Sequence, residues 1–487
     1  MENSQYTERL AEFATGTRFE DIPGDVVAQA KRLILDTIGC ALGGFSTDKG
    51  RISRQLAMSL GGNPESTILG TSLQTSCVNA AFANANMANA LDNDDCLKNS
   101  PHFSMHTVSA ALSVAERTEA SGKGLIAAVL VAYDVAARVA HMFGYPLHVK
   151  EDSVEYWRGF GLSWEVFASA VAAARLLGLD SAGMSNALGI AATLTPVPIH
   201  RFLITQPIPL VKYNEAGWTT ASGVMAALLA DGGYTGPPGV LDPDYEIWRV
   251  FGAEKSDYSS LAKDLGTSWH IMNTSFKPWP SCRWTHHPLT LFSDIAKDND
   301  LKPDEIEKVV VKGSWMNRAF DSPDPAPGPI GPQFNIQHAI AAVALGIPPG
   351  PNWQKPEVIN DTRVKEFRRR VFLERGPRTL RGARDDEVIR TITGELPGFF
   401  TKIPTTVEIT TRGTTFSKSG VYAKGDPWSP ETRLTDEELD QKFYLNAVEM
   451  MPNSTLWRNQ IRKAAKAIRD LENQTCLCEL TGMLAAD

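Results

Sequence analysis

The first half of the chain consists of apolar segments rich in alanine and glycine, separated by short polar stretches. Around residues 26–38, apolar side chains such as Val26, Ala30 and Leu33 recur every three or four residues, which is the spacing of one buried helix face. Segments of the same kind follow at residues 78–90, 107–119, 125–142, 164–179, 184–193 and 217–230. Small side chains let helices approach closely, so the pattern predicts buried helices in a large all-helical body.

The pattern changes after about residue 270, where β-branched runs replace the helical period. Residues 309–311 are consecutive valines, and residues 405–416 contain two β-branched runs around a glycine turn, which predicts a strand and a hairpin. The sequence TDEE at residues 435–438 has the form of a capping box and predicts the start of a helix. Helical spacing then continues through residues 454–484.

These patterns predict a mainly α fold with an inserted α+β domain. We expect residues 1–269 to form the first part of a helical domain, residues 270–430 the smaller α+β domain, and residues 431–487 the rest of the helical domain. A chain of 487 residues agrees with two domains, because single hydrophobic cores rarely grow beyond about 250–300 residues.

Composition and charge narrow the classes of partner. Hydrophobic residues make up 43% of the chain and charged residues 21%, as in a soluble globular protein. The net charge of −8 argues against nucleic acid or an anionic membrane as the main partner. The apolar segment at residues 124–142 is interrupted by Asp134, Arg138 and His141, so we expect a buried helix there and not a membrane span.

The six cysteines are scattered along the chain without the spacing of a disulfide framework. Cys476 and Cys478 are two apart, which does not match the usual pairs of zinc ligands. We therefore expect free thiols, as in a reducing compartment. Residues 1–6 are polar and show no apolar signal segment, so we expect a cytoplasmic protein.

The densest group of reactive side chains lies at residues 276–287, of sequence FKPWPSCRWTHH. Lys277 and Arg283 could clamp carboxylates, with the guanidinium offering two parallel hydrogen bonds. Cys282 and His286 could move protons near neutral pH. The alternative is a rigid, basic and aromatic surface loop that only connects two elements.

A second polar cluster contains Asp92, Asp94 and Asp95 and directly follows an apolar helix. Carboxylates so close repel one another, so at least one could hold a raised pKa and act as an acid or a base. The alternative is ordinary helix capping in a solvated turn.

His102 and His106 are four residues apart, which places both on one face of a helix and makes a metal site an alternative. No glutamate follows His102, so the zinc-protease pattern is absent, and a structural His106 is the stronger expectation. Lys212 precedes a Gly/Ala-rich helix and is either a snorkelling surface cation or a carboxylate binder.

Taken in order, these clusters resemble the MmgE/PrpD family, which includes 2-methylcitrate dehydratase, cis-aconitate decarboxylase and iminodisuccinate epimerase. Residues 92–95 resemble the family's Asp-aromatic-Asp-Asp element, and residues 102–104 its His-Pro-Ser element. Lys212 keeps the family's spacing to a GxAA sequence, and residues 277–283 with His286 resemble its lysine-proline-arginine-histidine element. The similarity covers nearly the whole chain.

The resemblance implies a helical domain, a smaller lid domain and an active site between them, usually in a homodimer and without a metal or an organic cofactor. Carried over residue by residue, it makes Asp92, His102, Lys212 and Lys277 active-site residues. Cys282 stands where the decarboxylases carry a histidine.

Three further positions depart from the family pattern. Asn93 replaces an aromatic residue, Phe103 replaces a proline, and Gly159 lies where the decarboxylases have another histidine. With two decarboxylase histidines missing, decarboxylation is not our first choice.

We therefore expect a cofactor-independent lyase for a di- or tricarboxylate, most readily a dehydratase of 2-methylcitrate or a related alkylcitrate. His102 would be the general base or acid, with Asp92 as its partner, and the lysines would stabilise enolate-like charge. Cys282 completes the expected catalytic set. The expected substrate-binding side chains are Arg283, His286 and His106. The alternatives are a cis-aconitate-type decarboxylase, a dicarboxylate epimerase, a non-catalytic family member and a metal-dependent hydrolase.

Overall fold

The computed structural model describes residues 5–98, 101–143, 147–150, 153–156, 163–195, 207–212, 215–253, 256–313, 321–375 and 401–486. The apolar segments of the first half are helices, and each differs from the prediction by only a few residues at its ends. The helices of this half are α1 Tyr6–Gly16, α2 Gly24–Gly44, α3 Asp48–Leu60, α4 Cys77–Asn89, α5 Ser104–Arg117, α6 Gly122–Phe143, α7 Val166–Leu176, α8 Ser181–Leu194 and α9 Ala216–Asp231.

The second half contains shorter helices and the main sheet. Its helices are α10 Ser259–Ala262, α11 His286–Asp298, α12 Ile336–Ala344, α13 Pro356–Ile359, α14 Thr362–Arg368, α15 Asp436–Val448, α16 Thr455–Arg469 and α17 Cys478–Met483. The strands of the whole described chain are β1 Ser66–Thr67, β2 Gln74–Thr75, β3 Cys96–Leu97, β4 Leu147–Lys150, β5 Ser153–Tyr156, β6 Thr274–Ser275, β7 Lys308–Gly313, β8 Val371–Arg375, β9 Thr405–Thr411 and β10 Thr414–Gly420. The fold is therefore mainly α with a smaller α+β part, as predicted.

The main sheet has four strands in the order β10-β9-β7-β8. β7 runs parallel to β8 and antiparallel to β9, and β9 and β10 form the hairpin that the sequence predicts. Along β9 the side chains alternate between buried and half-buried, because successive residues of a strand face opposite sides. The buried side packs against α11. The division of the chain at residues 270 and 430 stays a prediction.

Helix α6 lies at the centre of the helical part. It is the one helix among the described residues that is long and apolar enough to cross a membrane, and its whole apolar stretch is buried inside the protein. The predicted buried helix is therefore confirmed. Within it, Arg138 Nε donates to Asp134 Oδ2 at 2.6 Å, which pairs the two charges that interrupt its apolar sequence.

Small residues let the helices cross closely. A Cβ atom at Gly223 in α9 would lie 2.2 Å from Ser169 Oγ and 2.6 Å from the carbonyl oxygen of Val166, both in α7. Such distances are well inside van der Waals contact, so only glycine fits this crossing. The alanine and glycine content that defines the pattern in the sequence thus sets the distance between α7 and α9.

Two short contacts bring the two halves of the chain together. β3 pairs antiparallel with β6, with Cys96 opposite Ser275. Next to this pair, the backbone N–H of Phe276 donates to the carbonyl oxygen of Gly425 at 3.1 Å. Gly425 has φ +99°, and a Cβ there would lie 1.8 Å from the Phe276 carbonyl oxygen. The segments around residues 96 and 276 are therefore held side by side.

Helix α15 begins with the predicted capping box. Thr435 Oγ1 accepts from the backbone N–H of Glu438, whose side chain accepts from the Thr435 N–H. The helix packs against α2, and Lys442 Nζ reaches Asp36 Oδ1 at 2.5 Å and the Asn93 carbonyl oxygen at 2.6 Å. A helix from the end of the chain thus supports the loop that follows α4.

The cysteines depart from the expectation in one place. Cys476 and Cys478 form a disulfide, so the expectation of free thiols is wrong for this pair. A spacing of two residues does not fit a pair of zinc ligands, but a bend just before α17 places the two Cα atoms 5.6 Å apart, a normal distance for a disulfide. Cys40, Cys77, Cys96 and Cys282 are free thiols.

Replacing Gly223 with alanine is expected to lower the free energy of unfolding by about 1–3 kcal/mol or more, because the methyl group has no room between α7 and α9. Urea denaturation followed by circular dichroism measures it. Gly124→Ala in α6 is the control, since its Cβ would lie 3.6 Å from the nearest atom. That variant should keep or gain stability, by up to about 1 kcal/mol. A Gly223→Ala protein as stable as the wild type would contradict the close crossing.

Candidate active site

The acidic residues at 92–95 form a buried loop directly after α4. Their side chains are at most 1% exposed, so the solvated turn considered from the sequence is excluded. Asp92 has φ +54°, a left-handed conformation that aspartate adopts more readily than most residues. Its N–H donates to the carbonyl oxygen of Asn89 at 3.2 Å. The chain therefore turns inward as soon as the helix ends.

Two lysines from distant parts of the chain meet Asp92. Lys212 Nζ lies 2.9 Å from Asp92 Oδ1 and donates to the Asn89 carbonyl oxygen at 2.8 Å. Lys277 Nζ donates to the Asp92 carbonyl oxygen at 2.9 Å and lies 3.5 Å from Asp92 Oδ2. Lys277 Nζ is also 4.0 Å from Asp94 Oδ1. Both lysines are buried, which excludes the snorkelling surface cation for Lys212.

The pKa values of Asp92, Lys212 and Lys277 depend on one another. Burial raises the pKa of Asp92, but the nearby Lys212 and Lys277 outweigh it, so the pKa of this carboxyl lies well below its usual range. Burial lowers the pKa of Lys277, but Asp92 and Asp94 outweigh it and raise that pKa overall. For Lys212 burial prevails, and its pKa is lowered although Asp92 opposes the shift. Asp92 and Lys277 are therefore ionised at neutral pH.

His102 lies against the same loop. Its Nδ1 is 2.6 Å from the carbonyl oxygen of Asp95 and 3.5 Å from Asp94 Oδ2. Because a carbonyl oxygen only accepts, Nδ1 carries the proton, and in the neutral ring Nε2 holds the lone pair. The backbone N–H of His102 donates to Glu165 Oε1 at 3.2 Å. The ring is thus oriented to exchange a proton at Nε2.

The other two carboxylates of the loop have different environments. Burial raises the pKa of Asp94, but His102 and Lys277 outweigh it and lower that pKa overall. Burial raises the pKa of Asp95. The Asp95 carboxyl accepts from the Ser104 N–H at 3.0 Å and from the Tyr133 hydroxyl at 2.9 Å. Asp94 therefore belongs to the charged group, and Asp95 fixes the loop to α5 and α6.

Cys282 belongs to the same region. Burial, and then the negative charge of Asp92, raise the pKa of its thiol to about 12. Its backbone N–H donates to the carbonyl oxygen of Gln333 at 2.8 Å. At pH 7 the side chain is therefore a neutral thiol, which can donate a proton but is not a thiolate nucleophile.

Arg283 and His286 are held in a separate buried group. Arg283 forms an ion pair with Asp426 and donates to the Lys424 carbonyl oxygen at 3.1 Å. His286 Nε2 faces the carbonyl oxygen of Ser281 at 3.1 Å, and burial holds the pKa of His286 well below its usual range. The described contacts favour a supporting position for both residues, so their substrate-binding role stays a prediction.

His106 does not share a ligand position with His102. Its Nε2 lies 2.8 Å from Glu165 Oε2 and its Nδ1 2.8 Å from Thr220 Oγ1. Burial lowers its pKa to about 3, so the ring is neutral. Within the described part of the chain, no group of three or more His, Cys, Asp or Glu side chains is arranged to hold a metal ion. His106 supports Glu165, which in turn holds the backbone of His102.

Comparison with known proteins identifies the family. The MmgE/PrpD N-terminal domain matches residues 8–258, and the MmgE/PrpD C-terminal domain matches residues 279–467. The chain belongs to the MmgE/PrpD family. The resemblance inferred from the lysine, aspartate and histidine clusters is thereby confirmed.

Several curated proteins that this chain resembles are named as cis-aconitate decarboxylases or as similar to them. The human protein is 27% identical over 493 residues, covering 97% of this chain and 94% of its own length. A protein of Aspergillus terreus with the same name is 27% identical over 304 residues, and the match spans 60% of each chain. The cis-aconitate decarboxylase-like protein oryM of Aspergillus oryzae is 30% identical over 292 residues, with 56% of this chain and 57% of oryM covered.

Three side chains of the site were not among the sequence candidates for this MmgE/PrpD protein. Asn89 ends α4, Lys49 donates to Asn89 Oδ1 at 3.1 Å, and Glu165 joins His102 to His106. A signal for Asn89 was present, because asparagine recurs within an otherwise apolar helix and buried amides need partners. Lys49 lies in locally polar sequence that gives no such signal. Glu165 gave a signal that was missed, because it is a single carboxylate between Trp164 and Val166 in an apolar segment. Gly159, where a decarboxylase histidine was expected, lies outside the described residues.

Asp92→Asn is expected to lower the free energy of unfolding by about 3–5 kcal/mol at pH 7, because it leaves two buried ammonium groups without their carboxylate. Lys212→Met should lower the free energy of unfolding by less than Asp92→Asn does, since Lys277 still pairs with Asp92. The pKa of Asp92 is lower in the folded protein, so its contribution to stability is complete above the unfolded value of about 4 and declines progressively as the pH falls from there toward the folded pKa.

Urea denaturation of the wild type, Asp92→Asn and Lys212→Met at pH 7, 5 and 3 measures these differences. The gap between wild type and Asp92→Asn should narrow at pH 3. Equal stabilities at pH 7 would show that the two lysines do not depend on Asp92.

Proposed function

We propose that this protein is a lyase that removes carbon dioxide from cis-aconitate or a closely similar unsaturated tricarboxylate. The observation that carries the proposal is the buried group of Lys212, Lys277 and Asp92 beside the oriented ring of His102. Membership of the MmgE/PrpD family and the names of its relatives support a carboxy-lyase over the 2-methylcitrate dehydratase that we ranked first from the sequence.

The charges suit a substrate with several carboxylates. In the structure, Lys212 and Lys277 are paired with Asp92. A substrate carboxylate that approaches either ammonium can share this charge. Once carbon dioxide leaves, the bonding electron pair stays on carbon and spreads over the adjoining double bond and a remaining carboxylate. Fixed cations near that carboxylate stabilise the developing charge, and both lysines are buried.

The reaction consumes one proton for each carbon dioxide released, and His102 is the candidate donor. With Nδ1 held by the Asp95 carbonyl oxygen, a proton carried on Nε2 can be delivered to the carbanion. Asp94 Oδ2 lies 3.5 Å from Nδ1 and helps to fix the orientation of the ring. Cys282, a neutral thiol beside the group, is a second possible donor for the same carbon.

Dehydration of 2-methylcitrate is the second candidate function. It is favoured by the residues at which the chain departs from the decarboxylases, namely Cys282 in place of one histidine and Gly159 in place of another. Dehydration would use His102 as a base and need an acid for the leaving hydroxyl. A homodimer, a cytoplasmic location and activity without an organic cofactor stay predictions.

Proton NMR of the purified protein with cis-aconitate, and separately with 2-methylcitrate, tests the two candidates. We expect cis-aconitate to be converted into an alkene with one carboxylate fewer, while 2-methylcitrate stays unchanged. A new alkene signal from 2-methylcitrate and none from cis-aconitate would replace decarboxylation by dehydration. Deuterium exchange into a chiral dicarboxylate without net reaction would indicate an epimerase.

His102→Gln and Lys277→Met are each expected to lower kcat/KM for the accepted substrate by about 100-fold or more, the range for loss of a positioned proton donor or a charge-stabilising group. Circular dichroism checks that the fold is kept. Lys302→Met is the matched control, because Lys302 is 65% exposed and pairs only locally with Asp300. Normal turnover in both site variants would contradict the assigned roles.

A further inference from the structure

Lys49 occupies a position that is unfavourable for a lysine on two counts. It is 5% exposed, and burying an ammonium group is costly unless it is well paired. It also lies in the first turn of α3, directly after the N-cap residue Thr47 and Asp48, where the helix dipole disfavours positive charge. A residue that breaks two local rules is a candidate for a role in the site.

Asn89 is the residue that connects Lys49 to the charged group. Its Oδ1 accepts from Lys49 Nζ at 3.1 Å, and its Nδ2 donates to Asp94 Oδ2 at 3.5 Å. Its carbonyl oxygen accepts from Lys212 Nζ at 2.8 Å. Asp94 Oδ2 is also the oxygen that lies 3.5 Å from His102 Nδ1. One side-chain amide thus lies between the ammonium of Lys49 and the carboxylate that faces His102.

The proton state of Lys49 controls which way this amide can face. An ammonium group has three donors and no acceptor, so only the oxygen of the Asn89 amide can face it. The amide nitrogen is then turned toward Asp94. A neutral amine has a lone pair as well as two donors, so it can face either end of the amide. In that case the amide keeps its contact with the Asp94 carboxylate but loses the constraint that the ammonium placed on its oxygen.

We propose that Lys49 is a positioning residue for this active site, and that its ammonium holds the Asn89 amide so that Asp94 stays directed at His102. Lys49 does not touch the substrate in this arrangement. The kinetic test of this role measures turnover of cis-aconitate, so that test rests on the proposed function.

Burial and the charged groups around Lys49 set its pKa within a pH range that experiments can reach. Burial lowers the pKa of Lys49 to about 8, Glu215, Asp94 and Asp92 oppose that shift, and Lys212 adds to it. The folded pKa is thus below the value in an unfolded chain. Lys49 is charged below about pH 8 and becomes neutral above it, so the amide is held at both ends at neutral pH and less firmly in alkali.

The kinetic test compares the wild type with Lys49→Arg and Lys49→Met across pH 6–10, with cis-aconitate as substrate. The wild type should lose kcat/KM above about pH 8 as Lys49 is deprotonated. Lys49→Arg, which keeps its charge, should lack this decrease. Lys49→Met should be about 10–100-fold slower at pH 7, as for other supporting residues, and should also lack the decrease. An unchanged profile in Lys49→Met would overturn the proposal.

A second readout does not depend on turnover. In protein labelled with ¹³C on the histidine rings, the His102 resonance is identified by its loss in His102→Gln. We expect the chemical shift of this resonance at pH 7 to change in Lys49→Met and to stay the same in Lys49→Arg and in the control Lys302→Met. In the wild type, the chemical shift plotted against pH should show an inflection near pH 8. If Lys49→Met fails to fold, the pH titration of the wild type still tests the positioning role.

The two readouts separate the two proposals. A protein that does not decarboxylate cis-aconitate but shows the expected His102 shifts would retain the positioning role and lose the proposed function. A His102 resonance that is insensitive both to Lys49→Met and to pH 8 would overturn the positioning role, whatever the substrate turns out to be.

Discussion

A carboxylate that is removed from water must be matched by positive charge, and the structure of this protein depends on how Asp92 meets that requirement. Two ammonium groups reach it from segments that are far apart in the chain, at Lys212 and Lys277. Breaking such a group is much more costly than omitting it, because the remaining charges stay buried. The end of α4, the turn before α9 and the segment after β6 are therefore held in one arrangement.

Much of the remaining architecture supports that arrangement. Gly425 allows the backbone contact that fixes Phe276, the residue before Lys277. Lys442 Nζ in α15 donates to the carbonyl oxygen of Asn93 at 2.6 Å and so stabilises the loop after α4. Two carboxylates, Asp92 and Asp94, balance the two central lysines, and the charge of Lys49 is opposed by Glu215. An anionic substrate would compete with Asp92 and Asp94 for the ammonium groups of Lys212 and Lys277. The selectivity for a substrate would then depend on its charge relative to these carboxylates.

The sequence predicted those parts of the fold that depend on local pattern. Helices α2 and α4–α9, the β9–β10 hairpin and the capping box of α15 follow from short-range spacing, which each segment carries by itself. The resemblance to the MmgE/PrpD family placed Asp92, His102, Lys212 and Lys277 in one site, and the structure brings these four together. Their chemical roles stay proposals.

The remaining features could not be predicted because they depend on partners distant in the chain. The ion pair of Arg283 with Asp426, 143 residues away, is one such feature, and the substrate-binding role of Arg283 stays a prediction. Lys49 lies in the first turn of a helix whose sequence is polar, and its burial follows from the packing of α3 on α4. The disulfide between Cys476 and Cys478 depends on a local turn that the spacing alone did not indicate.

The most direct test of this account uses cis-aconitate labelled with ¹³C in its carboxylates, incubated with the wild-type protein in deuterated water. The account predicts one equivalent of labelled bicarbonate or carbon dioxide and one deuterium on a carbon of the product, as expected when a side chain in exchange with solvent protonates the carbanion. Full recovery of the label in a six-carbon compound would contradict it, because the cluster around Asp92 would then serve some other chemistry.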